Sequence, residues 1–144
     1  MKNKYIKDLG VGKECFLPFI GYKYAKGHSK RKFRKQIRKY GFADTETWNL
    51  DSTASIWLYS HIKMMLEEGG KIVDYYAPNY LSKEEDEALA KLGVPEPLRK
   101  TDGTIFDFMC SLLEQSFTVD DTEAIKLEST AFHIFAIMLP RAWW

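Results

Sequence analysis

The chain has no apolar run of the roughly 18–20 residues that a membrane-spanning helix requires, so we expect no transmembrane segment. Its first residues include lysines but no apolar stretch of about 7–15 residues, and we therefore expect no secretory signal peptide. Cysteine is scarce, because Cys15 and Cys110 are the only two and fit no metal-binding spacing. One disulfide between them is an alternative, but two reduced thiols in a cytoplasmic protein are the interpretation we favour.

Catalytic motifs are also missing. The sequence contains neither a Gly-x-Ser-x-Gly motif nor a Glu-x-x-His pair, and Gly10 to Lys13 lacks the spacing of a phosphate-binding loop. His61 and His133 fall on the apolar sides of two predicted helices, where we expect core or interface histidines rather than metal ligands. The prediction is a protein that is not an enzyme and holds no metal or cofactor. A small helical metal-dependent enzyme that uses acidic groups or His61 remains an alternative.

Acidic residues are nearly absent from the first forty positions. Asp8 and Glu14 are the only two there, against thirteen Lys and Arg, whereas residues 41–144 hold eighteen acidic and eight basic residues. The formal net charge of +1 is therefore the sum of about +11 in residues 1–40 and about −10 in residues 41–144. This asymmetry indicates that the two parts bind different partners or bind each other.

The second part of this basic segment, residues 29–41, has the pattern of a short helix. Ser29 is suited to cap its start and Gly41 to end it. The apolar residues of this predicted helix form one narrow stripe, which consists of Phe33, Ile37 and Tyr40. Every other side of the helix is basic, so the pattern predicts a cationic amphipathic helix.

A longer helix is expected next. Asp44 and Asp51 are each suited to cap a helix start, and the pattern predicts a helix over 52–68 that stops at Gly69-Gly70. Its expected buried positions follow a helical period and are Ala54, Trp57, Leu58, His61 and Met65.

Three further signals define the rest of the chain. A capping box at 82–85 predicts a short acidic helix ending near Gly93, and a helix over about 104–117 should follow Asp102. Asp120-Asp121 should cap the last helix, which Pro140 kinks or ends. The expected buried faces of the last two helices are Ile105, Phe106, Phe108, Met109, Leu112 and Leu113, then Ile125, Ala131, Phe132, Phe135, Met138 and Leu139, with Glu128 interrupting the second.

These elements predict an all-α fold, a compact antiparallel helical bundle with an irregular basic N-terminal arm. Residues 1–27, which are rich in glycine and aromatic residues and lack a helical period, form the arm. Residues 28–144 form the helical bundle domain. Trp143-Trp144 at the end of the chain either plugs this bundle, which we favour, or hooks a partner.

The basic segment is the candidate binding site. Seven cations within about ten residues create a strong local potential that attracts phosphates, and aromatic rings nearby could stack on bases. The candidate phosphate-binding residues are Lys30, Arg31, Arg34, Lys35, Arg38, Tyr22 and Tyr24. Two alternatives together carry about as much weight as this interpretation. The cations could pair with the acidic remainder of the same chain or of a second copy, in a homodimer, or they could form a solvated surface.

The stretch from Gly41 to Asp51 reads Gly-Phe-x-Asp-x-x-x-Trp-x-Leu-Asp and precedes an amphipathic helix. It resembles a recurring block in small uncharacterised proteins of tailed phages and prophages, whose C-terminal ends are similar to residues 139–143 here. Those proteins often carry a Pro-Arg pair where Ser60 and His61 stand in this chain. The resemblance implies a phage-borne helical protein and transfers no catalytic residues.

Small phage accessory proteins often bind and block host components. By this analogy we expect a non-enzymatic protein of the host-cell cytoplasm that inhibits or sequesters a defence protein or its anionic nucleotide signal. Direct binding of nucleic acid by the same basic segment is the alternative.

Overall fold

The computed structural model of the chain describes residues 4–5, 27–41, 50–73 and 81–142, with only the backbone described at 27–30 and 69–73. Every regular element in these ranges is helical, which confirms the predicted all-α class. The elements are α1 (Gly27–Tyr40), α2 (Leu50–Val73), α3 (Lys83–Lys91), α4 (Asp102–Ser116) and α5 (Asp121–Met138), with 3-10 turns at Glu96–Leu98 and Leu139–Arg141. None of the helices described is both long enough and apolar enough to cross a membrane.

The chain forms two compact units, Met1–Ser60 and His61–Trp144, and the division falls within α2. The first unit contains α1 and the beginning of α2. The predicted arm at 1–27 and domain at 28–144 stay predictions, because most of the arm lies outside the described residues.

The second unit is organised around α4 and α5, which pack against each other and are joined by a short connection, as in an antiparallel helix hairpin. Leu89 of α3 and Val94 of the following loop are fully buried, as is the inner face of each long helix. The completely buried side chains of that hairpin are Ile105, Phe106, Met109, Cys110, Leu113, Ala131, Ile134 and Met138. Burial of this continuous apolar surface is the main source of stability for the unit.

Several helix ends agree with the sequence signals. Ser82 and Glu85 form the predicted capping box. The backbone N–H of Glu85 donates to the Ser82 hydroxyl, and the backbone N–H of Ser82 donates to the Glu85 carboxylate. Asp120 caps α5 by accepting from two backbone N–H groups. α3 ends at Lys91, close to the predicted end near Gly93, and Gly93 has a left-handed backbone with φ +83°. The α5 helix ends immediately before Leu139-Pro140, as predicted.

Three helix ends differ from prediction. α2 continues through Gly69-Gly70 to Val73, because glycine costs an α-helix only about 1 kcal/mol per residue relative to alanine and does not prevent it. Asp51 lies in the first turn of α2 instead of preceding it, where its charge favours the positive end of the helix dipole. Asp102 is the first residue of α4 and is buried, while Thr101 is the cap that accepts from the N–H of Thr104.

The predicted buried faces are partly wrong. Trp57 and His61, expected inside α2, are exposed, and His133 on α5 is exposed too, so the core interpretation of both histidines fails. On α5 the buried stripe is Ala131, Ile134 and Met138, so the inner face is rotated from the predicted one and Ile125 is 60% exposed. Of the predicted α4 face, Phe108 and Leu112 are only half-buried.

A candidate anion-binding surface

Helix α1 positions the basic residues. Its backbone is α-helical from Gly27 to Tyr40, and Gly41 ends it with φ +85° and an N–H that donates to the carbonyl of Ile37 at 2.9 Å. This is the left-handed glycine cap that the sequence predicts. The helix starts at Gly27, so Ser29 lies inside its first turn rather than at its cap position.

One side of α1 is anchored. Phe33 is 8% exposed, and Gln36 and Ile37 beside it are half-buried. Tyr40, predicted to continue this apolar stripe, is 56% exposed instead. Its ring lies under the Lys39 ammonium, with Nζ 4.9 Å from the ring centre, in a cation–π contact. Phe33 therefore fixes which side of the helix faces outward.

The opposite side carries four exposed cations, Arg31, Arg34, Lys35 and Arg38, which we call the basic face. They follow the spacing i, i+3, i+4 and i+7. Because each residue of an α-helix is rotated by about 100° from the one before it, this spacing places all four side chains within an arc of about 100° around the helix axis, roughly opposite Phe33. Four of the seven residues predicted to bind phosphate are thus brought together on one surface. Lys32 and Lys39, also exposed, extend this surface on one flank.

The basic face is not neutralised within its own helix. Residues 27–40 contain seven Lys and Arg and no acid. Among the described residues, no ion pair involves Arg31, Lys35 or Arg38. Like charges at i and i+4, such as Arg31 and Lys35, destabilise a helix by about 0.2–0.5 kcal/mol per pair. A bound anion would relieve this repulsion, so the electrostatics of α1 favour an anionic ligand.

The remaining predicted contacts of this surface are not described. Lys30 lies in α1, but its side chain is outside the described part, and Tyr22 and Tyr24 lie outside the described residues altogether. Stacking of those two tyrosines on a base therefore stays a prediction.

The other chemical groups of the described residues do not assemble into a metal centre. No group of three or more His, Cys, Asp or Glu side chains is placed to hold an ion in the described ranges. His133 uses its Nδ1 to donate to the carbonyl of Ser129 at 2.7 Å. Cys110 is a free thiol, and burial raises its pKa to about 12, which opposes nucleophilic use.

Sequence reasoning missed one charged cluster. Arg141 donates from both terminal guanidinium nitrogens to Glu85, at 2.9 and 2.8 Å, and its Nε lies 4.0 Å from Oδ1 of the buried Asp102. This cluster joins the C-terminal turn to the starts of α3 and α4. Because Glu85 and Arg141 are 56 positions apart, no local spacing signals their contact. Its role is structural, since each charge already has an opposite partner.

Comparison with known proteins adds no family. No protein-family model, curated protein sequence or solved structure matches this chain.

Proposed function

We propose that this chain is a non-enzymatic binding protein that holds phosphate groups of an anionic ligand on the basic face of α1. The observation that carries the proposal is the placement of four exposed cations on one side of a helix that contains no acid. Arginine supports it further, because three of the four residues are Arg, whose planar guanidinium makes paired hydrogen bonds to phosphate oxygens.

The biological setting follows from the resemblance of Gly41 to Asp51 to phage proteins. In an infected cell the ligand would be an anionic host component, either a defence protein with an acidic surface or the nucleotide signal of a defence system. Binding alone would sequester such a component, without a catalytic group. The basic face is the part of the molecule that would perform this function.

The test uses two variants with the same net charge. Arg31→Glu with Arg38→Glu reverses two cations of the basic face, and Lys100→Glu with Lys126→Glu reverses two exposed lysines of the second unit. All three proteins are applied to phosphocellulose, which presents phosphate groups, and eluted with a salt gradient. Circular dichroism of each variant checks that helix content is retained.

We expect the basic-face variant to elute at clearly lower salt than the wild type, and the control variant to elute close to the wild type. Because both variants change the net charge from +1 to −3, total charge cannot explain the difference. Equal elution of the two variants would contradict the proposal.

A further inference from the structure

We infer that the ligand is a protein, and that the basic face docks on an α-helix of that protein which presents a row of carboxylates. This inference rests on the proposed function, because it chooses between the acidic protein surface and the nucleotide signal named there. It depends on three cations of the basic face, Arg31, Lys35 and Arg38, which we call the cation row.

The cation row consists of exposed side chains. Among the residues that the structure describes, no ion pair involves any of the three. Arg34 and Lys32, on either side of the row, each have an interaction of their own within the chain, so neither is counted in it. The row is therefore the part of the basic face that is available to a ligand.

The cation row is nearly straight. Taking Arg31 as zero, a turn of about 100° per residue places Lys35 near +40° and Arg38 near −20°. Along the axis, the successive steps are about 6 Å and about 4.5 Å. Phe33, buried on the opposite side, holds the helix in this orientation. The three cations thus form a line about 10 Å long that runs parallel to α1.

A second α-helix matches such a line along its whole length. Carboxylates at i, i+4 and i+7 of a parallel helix, or at i, i+3 and i+7 of an antiparallel one, have the same rise and the same arc as the cations. Each carboxylate then faces one cation without loss of register. Helices of coiled coils are paired by charged side chains in the same way. Arginine favours this ligand further, because its guanidinium binds a carboxylate through two parallel hydrogen bonds.

A nucleotide fits the cation row less well. Sites for nucleotides are concave and bury most of the ligand surface, whereas the row lies on the outer side of one helix. Adjacent phosphates of a mononucleotide share a bridging oxygen, so they lie closer together than the cations do. One nucleotide would contact one or two cations and leave repulsion in the rest of the row. A row of carboxylates relieves the repulsion at all three positions.

The contact should be electrostatic in character. Among the described side chains of α1, no apolar one falls within the arc of the cation row. Ion pairs between exposed groups are individually weak and are screened by salt, while complementary charges accelerate association. We therefore expect a contact that forms rapidly, is weak by itself and depends strongly on salt.

The test titrates the full chain into labelled helical peptides and follows fluorescence anisotropy at 20 mM salt. Two alanine-rich peptides of about 21 residues, long enough to be helical, each contain four Glu. In the row peptide the Glu are at i, i+4, i+7 and i+11, which form one row in either orientation; in the dispersed peptide they are at i, i+5, i+10 and i+15, which distributes them around the helix. We expect the row peptide to bind at least fivefold more tightly, and its affinity to fall at least fivefold by 200 mM salt.

Charge reversal tests the assigned residues. Arg31→Glu with Arg38→Glu should weaken binding of the row peptide at least fivefold, and Lys100→Glu with Lys126→Glu, which makes the same charge change elsewhere, should leave it within about twofold. A row peptide with Lys in place of Glu should bind the Arg31→Glu, Arg38→Glu variant more tightly than it binds the wild type. Circular dichroism confirms that helix content is retained in each variant.

The outcomes separate the inference from the proposed function. Unlabelled row peptide should compete at least fivefold better than ATP or a three-residue oligoadenylate. Equal binding of the row and dispersed peptides would overturn the inference, as would a nucleotide that competes as well as the row peptide; in the second case the phosphate-binding function stands. Absence of peptide binding, while elution from phosphocellulose depends on the basic face, would also overturn the inference alone. If that elution does not depend on the basic face and no peptide or nucleotide binds, both proposals fail.

Discussion

Arg141 and Glu85 form a two-point ion pair that joins the C-terminal turn to the first turn of α3. Two guanidinium nitrogens of Arg141 donate to the two carboxylate oxygens of Glu85 at 2.9 and 2.8 Å, and both side chains are partly buried. The same carboxylate accepts from the backbone N–H of Ser82 at 2.8 Å and so completes the capping box. One acidic side chain thus serves both a helix cap and a contact between distant parts of the chain.

Substitution of Arg141 should therefore destabilise the second unit. Arg141→Lys loses the paired geometry, since an ammonium group does not reproduce the planar fork, and leaves Glu85 and the buried Asp102 less well compensated. We expect a loss of about 1–3 kcal/mol in the free energy of unfolding, measured by urea denaturation.

Lys83 provides the control for this experiment. Its pair with Glu87 is exposed and 3.9 Å long, so Lys83→Ala should change stability by less than about 0.5 kcal/mol. A loss at Arg141 no greater than at Lys83 would show that the two-point contact contributes no more than an ordinary surface ion pair.

Acid should weaken the same contact. The hydrogen bond from Arg141, together with that from the Ser82 N–H, holds the pKa of Glu85 below its usual value of 4.5. A carboxylate whose pKa is lowered by folding contributes stability that is fully present above the unfolded pKa and is lost as the pH falls through the folded one. The contribution of Glu85 should therefore begin to decline as the pH falls below about 4.5, and it is lost only below the lowered pKa of the folded state.

The measurement compares wild type with Glu85→Gln from pH 7 to pH 3. The variant should be less stable at pH 7, and the difference between the two proteins should shrink as the pH falls below 4.5. Glu87→Gln, at an exposed position of the same helix, should differ little from wild type throughout. A Glu85→Gln difference that stays constant to pH 3 would contradict the assigned cause.

Features that depend on a few adjacent residues could be predicted from the sequence. The capping box needs only Ser82 and Glu85, and the cap of α5 needs only Asp120 ahead of two N–H groups. The basic face likewise follows from helical spacing, once Phe33 identifies the inner side. Each of these features involves residues that are close in sequence, and the helical period fixes their relative positions.

Features that depend on distant residues could not be predicted. Asp102 looks like a cap from its neighbours, but it is buried near Arg141, which only the fold brings close. The predicted inner face of α5 is wrong for a related reason: the helix has apolar residues on more than one side, so its own sequence does not decide which side packs on α4. In the same way, glycine at 69–70 weakens a helix locally without determining that it ends.

The orientation of α5 gives a matched pair of substitutions. Ile134 is completely buried, whereas Ile125 on the same helix is 60% exposed. Ile134→Ala removes buried methyl groups and leaves a cavity, so we expect a cost of about 2–5 kcal/mol in the free energy of unfolding. Ile125→Ala should cost less than about 1 kcal/mol, because its side chain is mostly in water already.

Denaturation of both variants in urea, with circular dichroism as the signal, measures these costs. Alanine has a higher helix propensity than isoleucine, which offsets part of each loss equally and leaves their difference unaffected. Equal destabilisation at the two positions, or a larger loss at Ile125, would mean that α5 is rotated from the face described and would restore the face first expected from the sequence.

The thiol of Cys110 reports on opening of the same helix hairpin. Burial raises its pKa to about 12, with smaller contributions from Asp107 and Glu114, while Lys63 acts in the opposite direction. The thiolate is the reactive form of cysteine, and a thiol with this pKa has about 10³-fold less thiolate at pH 8 than a free cysteine.

In a Cys15→Ser variant, which leaves Cys110 as the single thiol, a maleimide should label native protein far more slowly than protein in 6 M guanidinium. Adding Ile134→Ala should accelerate native labelling, because a less stable hairpin opens more often, whereas Ile125→Ala should leave the rate nearly unchanged. Fast labelling of the native Cys15→Ser protein would place Cys110 at the surface and contradict the packing of α4 on α5.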